Sequence, residues 1–595
     1  MHLNPCRAMA RRPCSDDPAL VGLVSNGGRI CFMTNDDLLS RAKLLLQAGE
    51  LAEAEACAME AIEMAPDQAS GWYCLGRVFS QSGRLGDAAR VYEKVAALDP
   101  SDVACRTELG NLFRNMSLPE AAIHWHGEAL ALRPKELVLN LNHLFVLPIV
   151  ATSTQQIEQL RQRCLVGLEQ LEKQAQSLDF GDYAMSHHPY YLIYHNRDDR
   201  AVLESYGRLV NLPLQALGGA AARLQRPSTG RRRIGFLSGF FYAHSNSAAF
   251  EGLIRYLDRG CFEVVVIHLF TSRADAIRDR IDACADQAVV LAEMFEDAAR
   301  QLVDLDLDLL FFTDIGMHPM SMYLASRRSA SVQVAGWGVP QTSGLTTIDY
   351  YISGELVESP LSDCQYTESL VRLPGLPCCY LAENLVPATK GRDYFFLPQD
   401  EPLFGCLQSF WKLHPDFDDI LEQIAQRVPQ AWFVFVEGDV TSYTQIFMER
   451  IAVSAPTLAK RLILLSRMNR QDFISLAGCL DVLLDPPYFG SGVTLYETIH
   501  TGTPIVTLEG EFLRSRFVAG AYRLMGLEQA PVAHSFEAYI DWAVALMADP
   551  EQLASLRRLI AELAGQHLYD HQDVVEGFAD FAIEAIAQAG GEISA

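Results

Sequence analysis

The chain has 595 residues, 49% of them apolar, and this length predicts three or four domains with sizeable cores rather than a single core. Its 74 acidic residues outnumber 48 basic residues and give a formal net charge of −26. Because no long run of Lys or Arg interrupts this acidity, the composition argues against a broad nucleic-acid-binding or anionic-membrane-binding surface. We expect neither nucleic acid nor a membrane as a partner.

The fourteen cysteines are scattered and include no Cys-x-x-Cys pair, so we predict neither a disulfide framework nor a metal site. Arg7, Arg11 and Arg12 are followed by no continuous apolar segment of signal-peptide length, and no later run reaches membrane-spanning length. These features predict a cytoplasmic protein. We expect residues 1–33 to form a flexible leader, with Met33 as an alternative start site.

A period of 34 residues runs through the first quarter of the chain. Each period predicts two amphipathic helices, in which a small residue such as Gly76 lets the helices approach closely and Gly83 turns the chain. The matched positions are Pro66, Pro100 and Pro134; Ala54, Ala88 and Ala122; Ala42, Gly76 and Gly110; and Leu45, Phe79 and Phe113. This pattern resembles the tetratricopeptide repeat. We predict three repeats over residues 34–135 and a helical cap and linker over residues 136–230.

Arrays of such repeats form solenoids whose concave face commonly holds a protein or a peptide. We therefore expect this array to bind a protein partner. The aromatic side chains of Trp72, Tyr92 and Phe113 are expected to pack between the helices rather than to contact that partner.

From Arg231 onward, short apolar strands alternate with helical stretches, which is typical of buried parallel sheets. Strands are predicted at residues 232–239, 262–270, 307–314, 331–338 and 349–354, and then at PLFGCLQS, AWFVFVEG, RLILLSR, DVLLDPP and TPIVTLEG. The predicted fold class is α plus α/β, with an α-solenoid followed by two Rossmann-like lobes. The lobes cover residues 231–381 and 395–595, a connection at 382–394 joins them, and the C-terminal helices are assigned to the second lobe.

The stretch LLDPPYFGSGVTLYETIHTGTPIVTLEG at residues 483–510 predicts a strand, a glycine-rich turn, a helix and another strand. Ligands of open parallel sheets bind beyond the carboxyl ends of the strands, where this turn lies. Gly490 and Gly492 let the backbone approach a ligand, free amides at the helix start favour phosphate, and Glu497 can accept hydrogen bonds from ribose hydroxyls. Neither a GxGxxG nor a Walker A motif occurs, which argues against a dinucleotide oxidoreductase or a P-loop NTPase.

Six motifs follow the repeats in a set order: RIGFLSGFFYAHSNS, LLFFTDIGMHP, SVQVAGWGVPQTSG, CLQSFWKLHPDF, RLILLSRMNRQDF and LDPPYFGSGVTLYETIHTGTPIVTLEGEFLRSR. With the repeats, this order resembles the SPINDLY and O-GlcNAc transferase family of protein glycosyltransferases. Its bacterial members include flagellin glycosyltransferases with tetratricopeptide repeats and adhesin N-glucosyltransferases. The resemblance implies a GT-B fold, an inverting transfer from a nucleotide sugar without an essential metal, and a donor site mainly in the second lobe.

The resemblance also implies roles for single residues. It places His244 at the reacting centre and Asp314 on the acceptor side, so these two are the catalytic candidates. The implied donor-binding residues are Lys412, at the pyrophosphate; Arg470, near the donor; Gly490, Ser491, Gly492, Val493 and Thr494, in the phosphate loop; and Glu497, at the ribose. The proton of the attacking hydroxyl can pass to His244, to Asp314 or to the leaving phosphate, and the sequence leaves all three open.

Three positions depart from the family pattern. Phe473 replaces a histidine near the donor base, Val493 replaces a threonine of the phosphate loop, and Val339 stands where many bacterial relatives have histidine. The donor therefore stays open among UDP-GlcNAc, UDP-glucose, GDP-fucose and a CMP-nonulosonic acid. No cofactor beyond this co-substrate is expected.

The expected function is transfer of a sugar to Ser or Thr of a protein recruited by the repeats, with flagellin as the first acceptor by analogy. An Asn-directed glucosyltransferase is the nearest alternative. A scaffold that has lost catalysis is the alternative from another class, and an enzyme acting on free nucleotide sugars would leave the repeats without a purpose.

Overall fold

A computed structural model describes residues 33–179, 186–216 and 230–591. The predicted leader at residues 1–33 lies, apart from Met33, outside the described residues. The described chain forms a helical array, a further helical segment and two α/β lobes in series. Within these ranges no helix is both long and apolar enough to cross a membrane.

The array consists of three pairs of antiparallel helices, as the 34-residue period predicts. A Cβ atom added to Gly76 would lie 2.8 Å from the ring of Tyr92, and one added to Gly110 would lie 2.6 Å from the ring of His126. The small residue therefore lets an aromatic ring of the second helix pack against the backbone of the first. The helices are α1 (Asn35–Ala48), α2 (Leu51–Met64), α3 (Ala69–Gln81), α4 (Leu85–Leu98), α5 (Val103–Asn115) and α6 (Pro119–Leu132).

The helical segment after the array comprises α7 (Leu137–Leu144), α8 (Thr154–Lys173), a short 3-10 helix (Tyr190–His195) and α9 (Arg200–Ala216). The end of the array lies directly on the second lobe. There Ser442 Oγ donates to the carbonyl oxygen of Met116 at 2.7 Å, and Tyr443 Oη donates to that of Asn115 at 2.6 Å.

The first lobe is built on seven parallel strands in the order β3-β2-β1-β4-β5-β6-β7. The strands are β1 (Arg232–Ser238), β2 (Phe262–His268), β3 (Gln287–Val290), β4 (Leu307–Phe312), β5 (Ala330–Gly336), β6 (Tyr350–Gly354) and β7 (Ser369–Leu373). Helices between them are α10 (Ser245–Tyr256), α11 (Ala276–Ala283), α12 (Phe295–Asp304) and α13 (Pro319–Ala325). The strand order reverses between β1 and β4, which is the switch point where ligands of such sheets bind.

The second lobe repeats this arrangement with six parallel strands in the order β10-β9-β8-β11-β12-β13. They are β8 (Leu403–Cys406), β9 (Trp432–Val436), β10 (Leu462–Leu465), β11 (Val482–Leu484), β12 (Ile505–Leu508) and β13 (Val532–Ala533). The helices are α14 (Asp416–Arg427), α15 (Thr441–Ser454), α16 (Pro456–Ala459), α17 (Arg470–Cys479), α18 (Val493–Ile499), α19 (Phe517–Leu524), α20 (Phe536–Ala548) and α21 (Pro550–His567). Its switch point lies between β8 and β11.

The last helix, α22 (Asp573–Gly591), corrects one predicted boundary. The assignment of all of residues 395–595 to the second lobe is wrong for α22, because this helix packs on the first sheet. Its Phe578 is buried with its ring centroid 5.8 Å from that of Phe311 and 6.3 Å from that of Phe236. The chain thus returns to its first lobe, and the apolar face of α22 covers the sheet there.

Candidate active site

A cavity of about 430 Å³ lies between the two lobes. Its walls come from the carboxyl ends of both sheets, which carry His244 on one side and Lys412 on the other. The helical segment supplies a third wall through Tyr190 and Tyr194. This volume falls in the range of sites for nucleotide-sized ligands, about 300–1,000 Å³.

Lys412 is a cation on the second-lobe side of this cavity. The chain leaves β8 through a short 3-10 helix, Phe410–Lys412, which turns the side chain toward the glycine-rich loop. Its Nζ donates to Oε1 of Gln408 at 2.8 Å and to the carbonyl oxygen of Gly490 at 3.1 Å. Burial lowers the pKa of Lys412 to about 8, against the opposing field of Asp485. The ammonium is therefore held in advance beside the loop predicted to bind phosphate.

Gln408 is a functional candidate that the sequence analysis did not single out. Its Nε2 donates to Oγ of Ser491 at 2.9 Å and to Oγ1 of Thr494 at 3.0 Å, while its Oε1 accepts from Lys412. One amide thus connects the loop after β8 with Ser491 in the loop after β11 and with Thr494 at the start of α18. A signal was present, since Gln408 stands directly after a buried strand in the motif that contains Lys412.

The glycine-rich loop folds around the buried carboxylate of Asp485. Oδ1 accepts from the backbone N and the Oγ of Ser491 at 2.7 and 2.8 Å, and Oδ2 accepts from Oγ1 of Thr507 at 2.9 Å. A Cβ atom added to Gly490 would lie 2.3 Å from Oδ2, so only glycine fits there. Gly492, Val493 and Thr494 line the cavity. The helix after the loop, α18, has only seven residues.

Glu497 and Arg470 are brought together, but neither is among the described residues that line the cavity. Nε of Arg470 donates to Oε1 of Glu497 at 2.7 Å, and Nη2 donates to Oη of Tyr380 at 2.8 Å and to the carbonyl oxygen of Asn384 at 2.7 Å. The bonds from Arg470 to Tyr380 and Asn384 join the second lobe to the end of the first lobe. The ribose contact of Glu497 stays a prediction.

His244 lies at the N-terminal end of α10 and borders the cavity. Its Nδ1 accepts the backbone N–H of Asn246 at 3.1 Å, and its ring lies 4.8 Å from that of Phe240. Burial lowers the pKa of His244, which favours the neutral ring. Because Nδ1 is an acceptor, the proton of that neutral ring is on Nε2, so His244 can donate a hydrogen bond from Nε2 but cannot accept a proton there.

Asp314 is fully buried below the loop after β1 and does not belong to the described lining of the cavity. Its Oδ2 accepts from the backbone N of Gly239 at 2.8 Å and from Oγ of Ser238 at 3.4 Å. Nδ2 of Asn246 donates to the same Ser238 hydroxyl at 2.9 Å. Burial raises the pKa of Asp314 to about 6. These contacts fit a carboxyl group that supports the loop carrying His244, and direct participation in catalysis stays a prediction.

The sequence did not predict the aromatic wall of the cavity, because residues 136–230 were assigned to a helical cap and linker. Tyr194 has its ring centroid 4.7 Å from that of Phe489, and Nζ of Lys412 lies 4.9 Å from the same Phe489 ring. The helical segment therefore contacts the second-lobe side of the cavity directly. The aromatic run PYYLIYH at residues 189–195 was the available signal. In the described ranges no group of three or more His, Cys, Asp or Glu side chains is arranged to hold a metal ion.

Comparisons with known proteins bear on the repeats and on the two lobes. A tetratricopeptide-repeat model matches residues 39–103. The chain is 25% identical over 339 residues to an Arabidopsis thaliana protein named "Probable UDP-N-acetylglucosamine--peptide N-acetylglucosaminyltransferase SEC", covering 55% of this chain and 34% of that protein. It is 24% identical over 261 residues to "UDP-glucose:protein N-beta-glucosyltransferase" of Actinobacillus pleuropneumoniae, covering 43% and 41% of the two chains.

The chain spans about a third of the length of the SEC and SPINDLY relatives it matches. A solved structure of a mutant Thermobaculum terrenum O-GlcNAc transferase superposes with a TM-score of 0.73 at 23% identity, covering 94% of this chain and 98% of that one. This likeness confirms the predicted fold, repeats followed by a GT-B pair of lobes. The glycosyl transferase family 41 model matches residues 186–377 and 381–576, which is more than half of the sequence, and the chain therefore belongs to glycosyl transferase family 41.

Proposed function

We propose that the protein transfers a sugar from a nucleotide-sugar donor to Ser or Thr of a protein acceptor. The observation that carries this proposal is the preorganised cradle of Lys412, Gln408 and the loop at residues 490–494, which faces His244 across the cavity. A cation and backbone amides fixed in place are what a departing diphosphate needs.

Charge on the leaving group sets the role of the cradle. When the acceptor oxygen bonds to the anomeric carbon, the bond from that carbon to the diphosphate oxygen breaks and the electron pair stays on the diphosphate. Lys412 is placed to meet this charge, and we propose that it does so without an essential metal ion. Attack from the face opposite the diphosphate would invert the anomeric centre.

The proton of the acceptor hydroxyl needs a base. His244 offers an Nε2–H donor in the observed hydrogen-bonding pattern, and Asp314 lies beneath the loop rather than in the cavity. The sequence left three groups open as the proton acceptor: His244, Asp314 and the leaving diphosphate. The leaving diphosphate fits this geometry best. We assign His244 a donor hydrogen bond to a substrate oxygen and Asp314 support of the loop.

The repeats are proposed to recruit the acceptor protein. They dock on the second lobe through Tyr443 and Ser442, so a bound chain would be held at a set distance from the cavity. Flagellin is the first acceptor to examine, by analogy alone. The Actinobacillus relative, whose name specifies an N-linked glucose, makes an Asn-directed transfer the second candidate.

Intact-mass spectrometry of the flagellin, or of another abundant protein that co-purifies with the array, tests the proposal. Cells carrying the wild-type protein are compared with cells carrying Lys412→Ala or Lys460→Ala, the latter an exposed lysine of the same lobe. We expect Lys412→Ala alone to lower the mass of the partner by one or more sugar residues.

Mild alkaline β-elimination then separates the linkages, because it releases sugars from Ser and Thr and leaves Asn-linked sugars in place. An alkali-stable sugar would replace the Ser/Thr assignment with the Asn-directed one. An unchanged partner mass in Lys412→Ala cells, with the partner still bound and no nucleotide-sugar turnover, would favour the scaffold.

A further inference from the structure

The cavity continues past the phosphate cradle toward one edge of the second sheet. The cradle lies at the switch point between β8 and β11, and the next strands outward from β8 are β9 and β10. Residues at the carboxyl ends of these two strands, among them Val436, Glu437, Arg467 and Met468, line the cavity together with Phe473 of α17. A nucleoside attached to a diphosphate in the cradle would therefore extend over β9 and β10.

This part of the cavity holds the carboxylate of Glu437. Glu437 is half-buried, and its backbone N–H donates to the carbonyl oxygen of Leu465 at 2.9 Å, which fixes the residue at the end of β9. Among the residues that the structure describes, none gives the Glu437 side chain a hydrogen bond or an ion pair. Lys412 is engaged elsewhere, with Gln408 and the carbonyl oxygen of Gly490. The neighbouring Arg467 forms an ion pair with Asp439.

The hydrogen-bonding edges of the nucleobases discriminate between possible partners. A carboxylate offers only acceptors, two oxygens side by side. Guanine presents two adjacent donors, N1–H and the 2-amino group. Uracil presents a single N3–H between two carbonyl oxygens, whereas cytosine and adenine each present an amino group beside a ring nitrogen that accepts. With these three bases one carboxylate oxygen would face an acceptor, which is unfavourable in a partly desolvated site.

The other groups of this pocket fit the same base. Arg467 carries only donors, which match O6 and N7 of guanine. Met468, Val436 and the ring of Phe473 supply apolar surface for a planar base. We propose that the donor is a guanine-nucleotide sugar and that Glu437 recognises N1–H and the 2-amino group; this inference rests on the proposed function of the cavity.

Nucleotide binding to the full chain, measured by titration calorimetry, tests the inference. We expect GDP to bind at least tenfold more tightly than UDP, CDP or ADP, because a site built to satisfy a polar group rejects ligands that leave it unpaired. Inosine diphosphate lacks only the 2-amino group of GDP and is expected to bind about tenfold more weakly than GDP.

Glu437→Gln replaces one acceptor oxygen by an amide donor and should bring GDP and inosine diphosphate within about threefold of each other. The matched control is Glu449→Gln, an exposed glutamate of α15 in the same lobe, which should keep the wild-type preference. Because the inosine comparison also works on the wild-type protein, the test does not depend on a variant that folds.

UDP binding as tightly as GDP, or equal binding of GDP and inosine diphosphate to the wild-type protein, would overturn the guanine assignment and leave the proposed transferase intact. An unaltered GDP preference in Glu437→Gln would overturn the role of Glu437. If none of the nucleoside diphosphates binds, the proposed function fails together with this inference.

Discussion

Nη2 of Arg514 donates to the carbonyl oxygen of Arg197 at 2.8 Å. The carbonyl oxygen of the same Arg514 accepts the backbone N–H of Gly490 at 2.9 Å. Arg514 is only 3% exposed, and its guanidinium lies 4.2 Å from the ring centroid of Phe512. One buried residue thus links the helical segment that follows the repeats to the loop of the phosphate cradle.

Replacing Arg514 by methionine is expected to weaken nucleotide binding as well as folding. Methionine keeps most of the apolar volume but cannot bond to Arg197. The carbonyl oxygen of residue 514 still accepts from Gly490, but residue 514 is no longer anchored to the helical segment, so the loop at Gly490 is held less firmly. We expect KM for the donor to rise about tenfold with a smaller change in kcat, and the unfolding free energy to fall by about 3 kcal/mol.

Steady-state kinetics and chemical denaturation measure these effects, with the exposed Arg558→Met as the control. Partial recovery of KM in Arg514→Lys would support the link through the carbonyl oxygen of Arg197. A variant that loses stability while KM is unchanged would show that Arg514 serves folding alone.

Gly490→Ala is expected to disrupt the cradle with little effect on either lobe. The new methyl group would lie 2.3 Å from Oδ2 of Asp485, so the loop or the buried carboxylate must move. Either movement breaks the geometry that Ser491 and Lys412 share. We expect nucleoside diphosphate affinity to fall by more than tenfold, measured by calorimetry. Gly565→Ala, whose methyl group would meet nothing within 4 Å, is the control and should bind as the wild type does.

The pKa of Lys412, lowered by burial to about 8, predicts a pH dependence of donor binding. The protonated ammonium attracts the diphosphate, and the neutral amine does not. Affinity should therefore be highest below pH 8 and fall above it, approaching tenfold per pH unit when one proton is linked to binding. Calorimetry from pH 7.5 to 9.5 measures the slope.

Lys412→Gln carries no titrating group at this position, so it should bind more weakly and show a flatter profile over the same range. Parallel profiles for the variant and the wild type would assign the pH dependence to another group.

The sequence predicted those parts of the fold and of the site that local patterns encode. The 34-residue period identified the array, and continuous apolar runs identified most of the central strands. Glycines and a lysine placed directly after such strands identified the loops of the cradle. Gly490 was identified in this way, because a loop after a buried parallel strand lies at the ligand-binding edge of the sheet. Lys412 and His244 lie in such loops too, but their roles were assigned through the family resemblance of their motifs.

The remaining features depend on contacts between distant parts of the chain. Strands β3 and β7 form the two edges of the first sheet, and their polar residues and partial exposure hide the apolar run. Helix α22 has an apolar face, but no local pattern states which sheet it covers. Gln408 was missed because its importance comes from bonds to Ser491 and Thr494, which are separated from it by more than eighty residues.

Asp314 predicts a pH dependence of stability with an unusual sign. Burial raises the pKa of this carboxyl group in the folded protein to about 6, above its ordinary value of 3.8. Between pH 4 and pH 6 the folded state then binds more protons than the unfolded state, so the contribution of Asp314 to stability falls as pH rises and costs about 3 kcal/mol at pH 7.

Asp314→Asn removes this titration. Its unfolding free energy relative to the wild type should rise by about 2.5 kcal/mol between pH 4 and pH 7 in denaturant titrations, whereas the exposed Asp304→Asn should parallel the wild type. A constant difference between Asp314→Asn and the wild type across this range would show that the buried carboxyl group does not titrate there.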